Sequence, residues 1–486
     1  MPFLDRVNHW ADVDPQRTAL RLGEASLSYA QLRAAVVAAL PDALPLSVFQ
    51  EPTSLDLVVR LVAGLAGTRK ICVLDPGWPE DLTQRVWVEL RSWWDDRAER
   101  ISEAAPTDEL SDGPEDSIFL IGLTSGTSGT PKGFARNRGS WRRSFEAAID
   151  YFDLREGERM LIPGPLSASL NLYSLAEGLY AGATIELLSE FSVAEIFAAL
   201  DRGLTAGQPV ERIILVPTML SLCAGRALVA ERQHSPRNDS VRTVVSSGAK
   251  LSPATMAAVR RWLPQATVYE YYGASELGFL AAGLASAGMD QDGTAVGTAF
   301  PGVELAIRDP ASSVESLPAW IPGVVHVRSE LGSEGYLWGH DDEGFRRQDG
   351  WMTVGDLGYL TDQGVLHILG RQNDMLLSGG HNVYPHEVER ALCALSGIAD
   401  AVVAGIPDAV RGDKLVAGVL PRDRFAAQTL TSRDLKQGLA RTLAGYKIPV
   451  LLFELSEMPW GTGGKPQRGL FLRWVTEGDD RVRRIG

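Results

Sequence analysis

The chain has 486 residues, 45% of them hydrophobic, more than one core accommodates, so two or more domains are expected. A formal charge of −14 excludes a nucleic-acid backbone as the main partner, because that binding needs clustered Lys and Arg. Cys72, Cys223 and Cys393 are far apart and form no CxxC pair, which excludes a disulfide framework or zinc finger and fits a reducing cytoplasm.

The opening Met1-Pro2-Phe3-Leu4-Asp5-Arg6 puts charge where a secretory signal needs an apolar core. No apolar run reaches the roughly 18 residues of a membrane span, so a soluble, cytoplasmic protein without membrane contact is expected. A helical period over 55–65 is followed by a β-branched run at 71–74 that ends in Asp75-Pro76-Gly77-Trp78-Pro79. Apolar strands recur at 117–123, 213–216, 243–245 and 267–269, each read as a strand, a loop and then a helix. That order predicts mostly parallel sheets covered by helices.

From about 293 the texture changes to short Gly-punctuated strands, such as 323–328 and 364–369, which predicts a β-rich subdomain. Beyond Gly370-Arg371 come a helix (385–395), strands (399–406 and 414–420), a helix (432–443) and a strand (451–453). The expected fold class is therefore α/β: a large multi-layer N-terminal domain with parallel-rich sheets and a small β-rich subdomain, plus a small mobile α+β C-terminal domain. The expected boundaries are 1–370 and 371–486, with a hinge at 371–374.

The sharpest local signal is Thr124-Ser125-Gly126-Thr127-Ser128-Gly129-Thr130-Pro131-Lys132-Gly133. Such a loop offers hydroxyl and backbone N–H donors with little side-chain bulk, as polyphosphate oxygens require, and Lys132 adds positive charge. The plainer reading is a flexible Ser/Gly linker, which seldom sits directly between a buried strand and a helix. A Walker loop would place Gly immediately before the Lys; here Pro131 stands there, so this is a different phosphate loop.

Further along come Leu27-Ser28-Tyr29-Ala30-Gln31-Leu32, Tyr271-Tyr272-Gly273-Ala274-Ser275-Glu276, Thr353-Val354-Gly355-Asp356, Ser378-Gly379-Gly380, Tyr446-Lys447-Ile448-Pro449 and Gly461-Thr462-Gly463-Gly464-Lys465. With the phosphate loop and Gly370-Arg371, these motifs stand in the order found in the acyl-adenylate-forming superfamily, and the chain resembles that superfamily over nearly its whole length. Acyl- and aryl-CoA synthetases, peptide-synthetase adenylation domains and beetle luciferases belong to it.

The resemblance implies an acid–thiol ligase of the acyl-CoA synthetase type, using ATP, Mg2+ and coenzyme A. A carboxylate would attack the α-phosphate of ATP, so charge must be offset along the triphosphate. Catalytic roles fall to Lys465, Glu276 and Lys132, with Glu276 the magnesium-associated residue. ATP would be held by Thr124 to Thr130 and Lys132, by Ser247, Gly248 and Ala249, by Tyr271, Tyr272, Gly273 and Ser275, and by Asp356, Arg371 and Lys465. Asp356 would accept the ribose hydroxyls and either tyrosine would stack on adenine. Taken singly, Glu276 and Ser275 read as the start of a helix, Asp356 as a turn aspartate, Arg371 as a surface ion pair and Lys465 as a solvated loop lysine. The hinge departs from the family: Asn373 occupies a position usually held by Asp or Lys, and Asp374 is the alternative. His381 and His386 lack a zinc-protease spacing and read as surface residues.

The acid would be bound by Ser167, Ala168, Ser169, Thr218, Gly248 and Gly273, with Ala168 at the gate. No Asp lies in 160–180 to hold an amino group, so an amino acid is disfavoured. Small residues there lead to the expectation of a bulky or long hydrophobic acid. Alternatives are adenylation alone, with thiolation by a carrier protein or separate partner, and, from another class, a non-catalytic nucleotide or acyl-adenylate binder, which Lys465 and Glu276 oppose. Nothing in the sequence fixes an oligomeric state.

Overall fold

A computed structural model describes residues 3–101, 109–124, 130–231, 238–285, 294–310, 312–339, 344–378, 381–408, 412–423, 427, 430–460 and 466–486. The β-branched runs predicted between 159 and 274 form the strands Arg159–Ile162, Thr184–Leu187, Arg212–Ile214, Thr243–Ser247 and Thr267–Ala274, which lie parallel in one sheet. Their side chains alternate between two helical layers, as the pleat requires. Leu161, Ile213 and Val244 pack with Ile196, Leu220 and Val259 on one face, whereas Met160, Ile214 and Val245 pack with Leu175 and Leu179 on the other. Each such aliphatic side chain, buried, contributes about 1.5–3 kcal/mol.

The helix Ser169–Ala181 owes its close seat on this sheet to Gly178: a Cβ there would meet Met160 Sδ at 2.6 Å. It stops at Gly182, whose φ of 78° is left-handed and suited to glycine. Beyond Thr267–Ala274 the sheet turns antiparallel through Gly278–Leu284, Ala295–Ala299 and Val365–Arg371, then Asp356–Leu360 and Gly323–Arg328. This is the β-rich region expected from 293 onward.

A second sheet holds Leu46–Phe49, Lys70–Val73 and Ile118–Thr124 in parallel. Here the structure corrects the strand–loop–helix reading. After Ile118–Thr124 the chain returns as an antiparallel strand, Lys132–Asn137, with Thr124 opposite Lys132, and the helix Arg138–Tyr151 begins only after it. Phe134 and Ala135 are buried in the sheet, which outweighs any helical tendency of the segment. Gly335–Trp338 pairs with the far side of this strand.

A third sheet is built from residues between 376 and 484. Its longest strands, Ile398–Asp408 and Gly412–Pro421, are antiparallel, and Leu451–Leu455 adds in parallel. Helices Pro385–Cys393 and Ser432–Leu439 place Val388, Leu392, Leu435 and Leu439 on one face, against Val403 and Leu415. Phe471 of helix Arg468–Glu477 packs on the other, against Val402, Val416 and Phe453. The fold class is thus the expected one; the helix expected to run to 443 ends at Leu439. Among the described residues, no helix is long and apolar enough to cross a membrane.

Candidate active site

The phosphate-loop candidates Ser125, Gly126, Thr127, Ser128 and Gly129 lie outside the described residues, but both ends of the loop are fixed. Thr124 and Lys132 face each other across the hairpin, with Thr130 half-buried, and Trp338 Nε1 donates to the Pro131 carbonyl at 3.0 Å. Lys132 is buried, its Nζ 5.3 Å from the centre of the Tyr336 ring. A Cβ on Gly133 would meet the Trp338 ring at 2.4 Å, so glycine there lets the tryptophan close over the hairpin.

Tyr336 links this lysine to the acidic motif. Its hydroxyl donates to Glu276 Oε1 at 2.8 Å, so Lys132 and Glu276 meet across one phenol ring. Glu276 is buried and sits in the turn between Thr267–Ala274 and Gly278–Leu284, not at the start of a helix as Ser275-Glu276 alone would read. The register of that hairpin decides this, since Ala274 pairs with Gly278. Arg136, buried in the strand Lys132–Asn137 of the second sheet, donates to the Ser275 carbonyl at 2.7 Å and to that of Leu331, tying the turn to that sheet. Burial brings its guanidinium down to about 10, still charged at neutral pH.

Strand alternation then separates the two tyrosines. Tyr272 donates its hydroxyl to Asp356 Oδ2, and burial followed by the Asp356 charge pushes that phenol well above its ordinary value. Asp356 is itself buried, at the start of its strand, with Arg371 Nε 3.3 Å from Oδ1. Asp356 is therefore a strand residue bonded across the sheet, where GDLG alone reads as a turn, and Arg371 is the exposed partner directly opposite it.

Tyr271 points the other way, 4.5 Å from Phe279 in an aromatic cluster, and hydrogen-bonds with Ser247. Burial pushes its phenol up to about 12. It therefore does not share the Tyr272–Asp356 side. Ser247 ends its strand beside Tyr271, and Gly248 and Ala249 are exposed just beyond. Gly248 adopts φ 95°, and Lys250 Nζ and Leu251 N both bond to Glu270, at 2.7 Å each, pinning the segment. These are the carboxyl ends of parallel strands next to where the sheet turns antiparallel, the usual place for a ligand in an open α/β sheet.

Ser167 and Ala168 lead into the helix Ser169–Ala181, with Ala168 exposed at its N-cap. Ser275 Oγ lies 3.3 Å from Ser169 Oγ, which joins the predicted acid-binding stretch to the acidic turn. Gly273 sits in the same hairpin, where a Cβ would meet the Gly278 carbonyl at 2.5 Å. Thr218 is exposed in the first turn of the helix Pro217–Glu231, which Pro217 begins. Behind Ala168 the lining is aromatic: Tyr173, Phe152, Tyr271, Phe279 and Phe300 pack ring against ring.

Lys465 also lies outside the described residues. The ends of its loop are clamped, with Trp460 bridged to Pro466 and Gln467 N bonded to the Pro459 carbonyl at 2.7 Å. Arg468 follows, donating to both oxygens of Glu389 at 3.1 Å and to Asp374 at 3.2 Å. Asp374 closes the short 3-10 turn Gln372–Asp374. His386 bonds to Glu389 at 2.9 Å and His381 stacks on Tyr446, so both histidines have structural partners.

Tyr336, Arg136, Glu270 and Glu177 were not singled out from sequence. Only Glu177 carries a local signal, an acid within an otherwise largely apolar helix. For magnesium, Glu276 offers one buried carboxylate with Oε1 held by Tyr336, and no group of three or more His, Cys, Asp or Glu ligands gathers among the described residues. A lone carboxylate suits a hard cation that nucleotide phosphates and water otherwise coordinate, so the residues fit.

A buried lysine and carboxylate around one phenol, and a buried aspartate between a tyrosine and an arginine, define an adenylate-forming class of protein. The family described as AMP-binding enzyme matches residues 56–337, and the AMP-binding enzyme C-terminal domain matches residues 387–465. The chain belongs to this family, within the acyl-adenylate-forming superfamily. The uncharacterized acyl–CoA ligase YhfT of Bacillus subtilis (strain 168) is 31% identical over 472 residues, spanning 95% of this chain and 89% of that protein. The putative long chain fatty acid-CoA ligase VraA of Staphylococcus epidermidis is 31% identical over 353 residues, 72% of this chain and 70% of that one. In fold the chain is similar to the o-succinylbenzoate CoA synthetase MenE of Bacillus subtilis, solved with its acyl-adenylate intermediate. The TM-score is 0.79 at 22% identity, covering 96% and 97% of the two chains.

Proposed function

We propose that the protein is an AMP-forming acid–thiol ligase: it activates a carboxylic acid with ATP as the acyl-adenylate and transfers the acyl group to coenzyme A. The observation that carries this is the meeting of Lys132 and Glu276 around Tyr336, one residue from the Ser275–Ser169 contact and on the same hairpin as Tyr272–Asp356. Phosphate-binding charge, ribose acceptor and acid site would then lie side by side, which supports the reading.

In this reading Lys132 and the 124–130 loop bind the β- and γ-phosphates, and Asp356 accepts the ribose hydroxyls. A carboxylate has lone pairs to spare beyond those used by Tyr272 and Arg371. Tyr272 stacks on adenine, beside Ser247, Gly248 and Ala249. Glu276 would hold magnesium, which when bound would neutralise charge on the triphosphate. Ser167, Ala168, Ser169, Thr218, Gly248 and Gly273 line the entry of the acid. The acid's carboxylate attacks the α-phosphorus and pyrophosphate leaves; Lys465 supplies positive charge to the oxygens at that centre. The coenzyme A thiol, deprotonated, then attacks the adenylate carbonyl and AMP leaves.

Residues 1–370 serve as the adenylating domain and 371–486 as a lid that carries Lys465, with the turn at Gln372–Asp374 as the hinge and Asp374 the charged residue there. The setting is the cytoplasm, as the unpaired cysteines and net charge support. Relatives named as CoA ligases favour coenzyme A over a carrier protein as acceptor.

The test is acid-dependent pyrophosphate release with ATP and magnesium, with and without coenzyme A. Turnover that needs coenzyme A and yields AMP and acyl-CoA is expected. Adenylate that coenzyme A does not consume would move the acceptor to a carrier protein, and no release with any acid would overturn the ligase reading.

A further inference from the structure

Arg468 opens the helix Arg468–Glu477 and uses all three nitrogens of its guanidinium within the small domain. Nε donates to the Val403 carbonyl at 3.0 Å, Nη1 to Asp374 Oδ2 at 3.2 Å, and Nη2 to both oxygens of Glu389 at 3.1 Å. The two acids come from different places. Glu389 is buried on the helix Pro385–Cys393, where it also accepts from the Val403 amide at 2.8 Å and lies 2.9 Å from His386 Nδ1. Burial works against its charge, but the His386 bond and the Arg468 charge outweigh burial and hold the carboxyl below its ordinary value. Asp374 is partly exposed and closes the turn Gln372–Asp374. A planar fork of five donors lets one side chain hold a buried acid and a turn acid at once, which the point charge of a lysine does not reproduce.

That turn is held from its two ends by different bodies. On the near side Arg371 Nε lies 3.3 Å from Asp356 Oδ1, and Gln372 N donates to the Gly355 carbonyl at 2.8 Å. Both partners lie on or beside the strand Asp356–Leu360, which carries the proposed ribose acceptor. On the far side Asp374 is held by Arg468, and the strand Leu376–Ser378 then enters the third sheet, with Ser378 opposite Gly412 and Leu377 N bonded to Asp413 at 2.9 Å. The chain therefore passes from one body to the other between Gln372 and Asp374. Arg468 brings the grip of the small domain forward to Asp374, ahead of the sheet that starts at Leu376.

Resting on the reading of 371–486 as a lid hinged at Gln372–Asp374, the geometry points to Arg468 as a positioning residue that locks Asp374 to the buried Glu389, so that rotation at the turn carries the lid as one piece. The role is exercised through the hinge, not by contact with ATP or the acid. A lid held loosely at its hinge end delivers its groups out of register, and misplacement of about 1 Å can cost as much as 10²-fold in rate. ATP held by the other body is unaffected, so the loss falls on kcat and spares the KM for ATP.

The experiment compares the full chain with Asp374→Asn, Arg468→Lys and the double variant, using whichever of acetate, hexanoate, benzoate and hexadecanoate the native protein turns over best. It reads kcat and the KM for ATP in pyrophosphate release, and hydrogen exchange of the backbone over 372–378 in the protein without substrate. Each single variant is expected to lower kcat about tenfold with the KM for ATP within about twofold of native. The double variant should be no slower than the worse single one, because both break the same contact. Exchange over 372–378 should quicken several-fold in both single variants while the strands at 398–421 keep their native rate. Should Arg468→Lys not fold, Asp374→Asn, a change at a partly exposed turn, decides. Native kcat in Asp374→Asn overturns the assignment, as does a double variant slowed by the product of the two singles, or a loss confined to the KM for ATP. No release by the native protein with these or any wider set of acids would strike the ligase reading and the role in its reaction; exchange over 372–378 then decides separately whether Arg468 holds the turn, and unchanged exchange overturns that too.

Discussion

Tyr271 and Tyr272 are neighbours in sequence and belong to different halves of the site. Tyr272 ends on the buried Asp356 beside an exposed arginine, where every charged group has a partner of opposite sign or a donor. Tyr271 ends on a serine hydroxyl within a cluster of rings, where the one acid, Glu177, has an oxygen with no partner. Consecutive residues of a strand face opposite sides, so a single strand divides the proposed nucleotide wall from the proposed acyl wall. The difference teaches that the first side is a closed set of paired polar groups, while the second is an apolar cluster that keeps one unmet hydrogen bond.

Breaking the nucleotide wall is expected to have the largest effect. Lys465→Ala should lower the rate of pyrophosphate release about 10²–10³-fold, as for the loss of a charge donor at a transition state, while ATP binding measured by equilibrium dialysis persists. Unchanged release would remove Lys465 from the chemistry and leave Lys132 as the charge donor.

On the acyl wall, burial raises the Glu177 carboxyl to about 7 from an ordinary 4.5. Between those values the unfolded chain has released a proton that the folded chain still holds, so the folded state loses stability as pH rises from about 4.5 to 7, and the cost persists above. Glu177→Gln removes that cost. It should raise stability by on the order of 3 kcal/mol at pH 8 and by little at pH 4.5, read by thermal melts across the range. An equal gain at both pH values would show that Glu177 does not titrate in this window.

Tyr336→Phe sharpens the contrast by taking the hydroxyl from Glu276 while keeping the ring against Lys132. A hydrogen bond to a carboxylate contributes about 1.5–3 kcal/mol, so at least a several-fold rise in the magnesium concentration needed for half-maximal pyrophosphate release is expected, with the acid preference unmoved. A change in acid preference would mean that the two walls are coupled. The smallest effect belongs to Gly248→Ala. With φ at 95° the strain is about 1 kcal/mol, and with only Val216 nearby, 3.8 Å from the added Cβ, steric cost is minor. A few-fold rise in the KM for ATP at unchanged kcat is expected from steady-state kinetics.

Much of the site was legible because its residues are chemically distinctive and stand in ordered motifs. The phosphate loop, Glu276, Asp356 and Arg371 could be named from sequence, and the structure brings Lys132 and Glu276 to one phenol ring and sets Asp356 opposite Arg371 on neighbouring strands. Tyr336 and Arg136 were not legible: each is an ordinary residue whose importance comes from distant contacts, Tyr336 through a strand paired with one about two hundred residues earlier and Arg136 through side-chain bonds to the Ser275 and Leu331 carbonyls. The hairpin after Thr124 was misread as leading to a helix because local composition does not reveal that Lys132–Asn137 finds partners on both edges. His386 read as a surface residue, and only the fold shows it sharing Glu389 with Arg468, close behind the loop of Lys465.

By itself the sequence determined the α/β class, because periodicity and composition act locally, and its ordered motifs, through the resemblance they carry, supplied the groups for adenylate chemistry. The tertiary structure decided which tyrosine faces Asp356, where Glu276 sits, and that Glu177 is left without a partner. Those outcomes depend on register, on burial and on contacts between distant strands, and local sequence does not encode them.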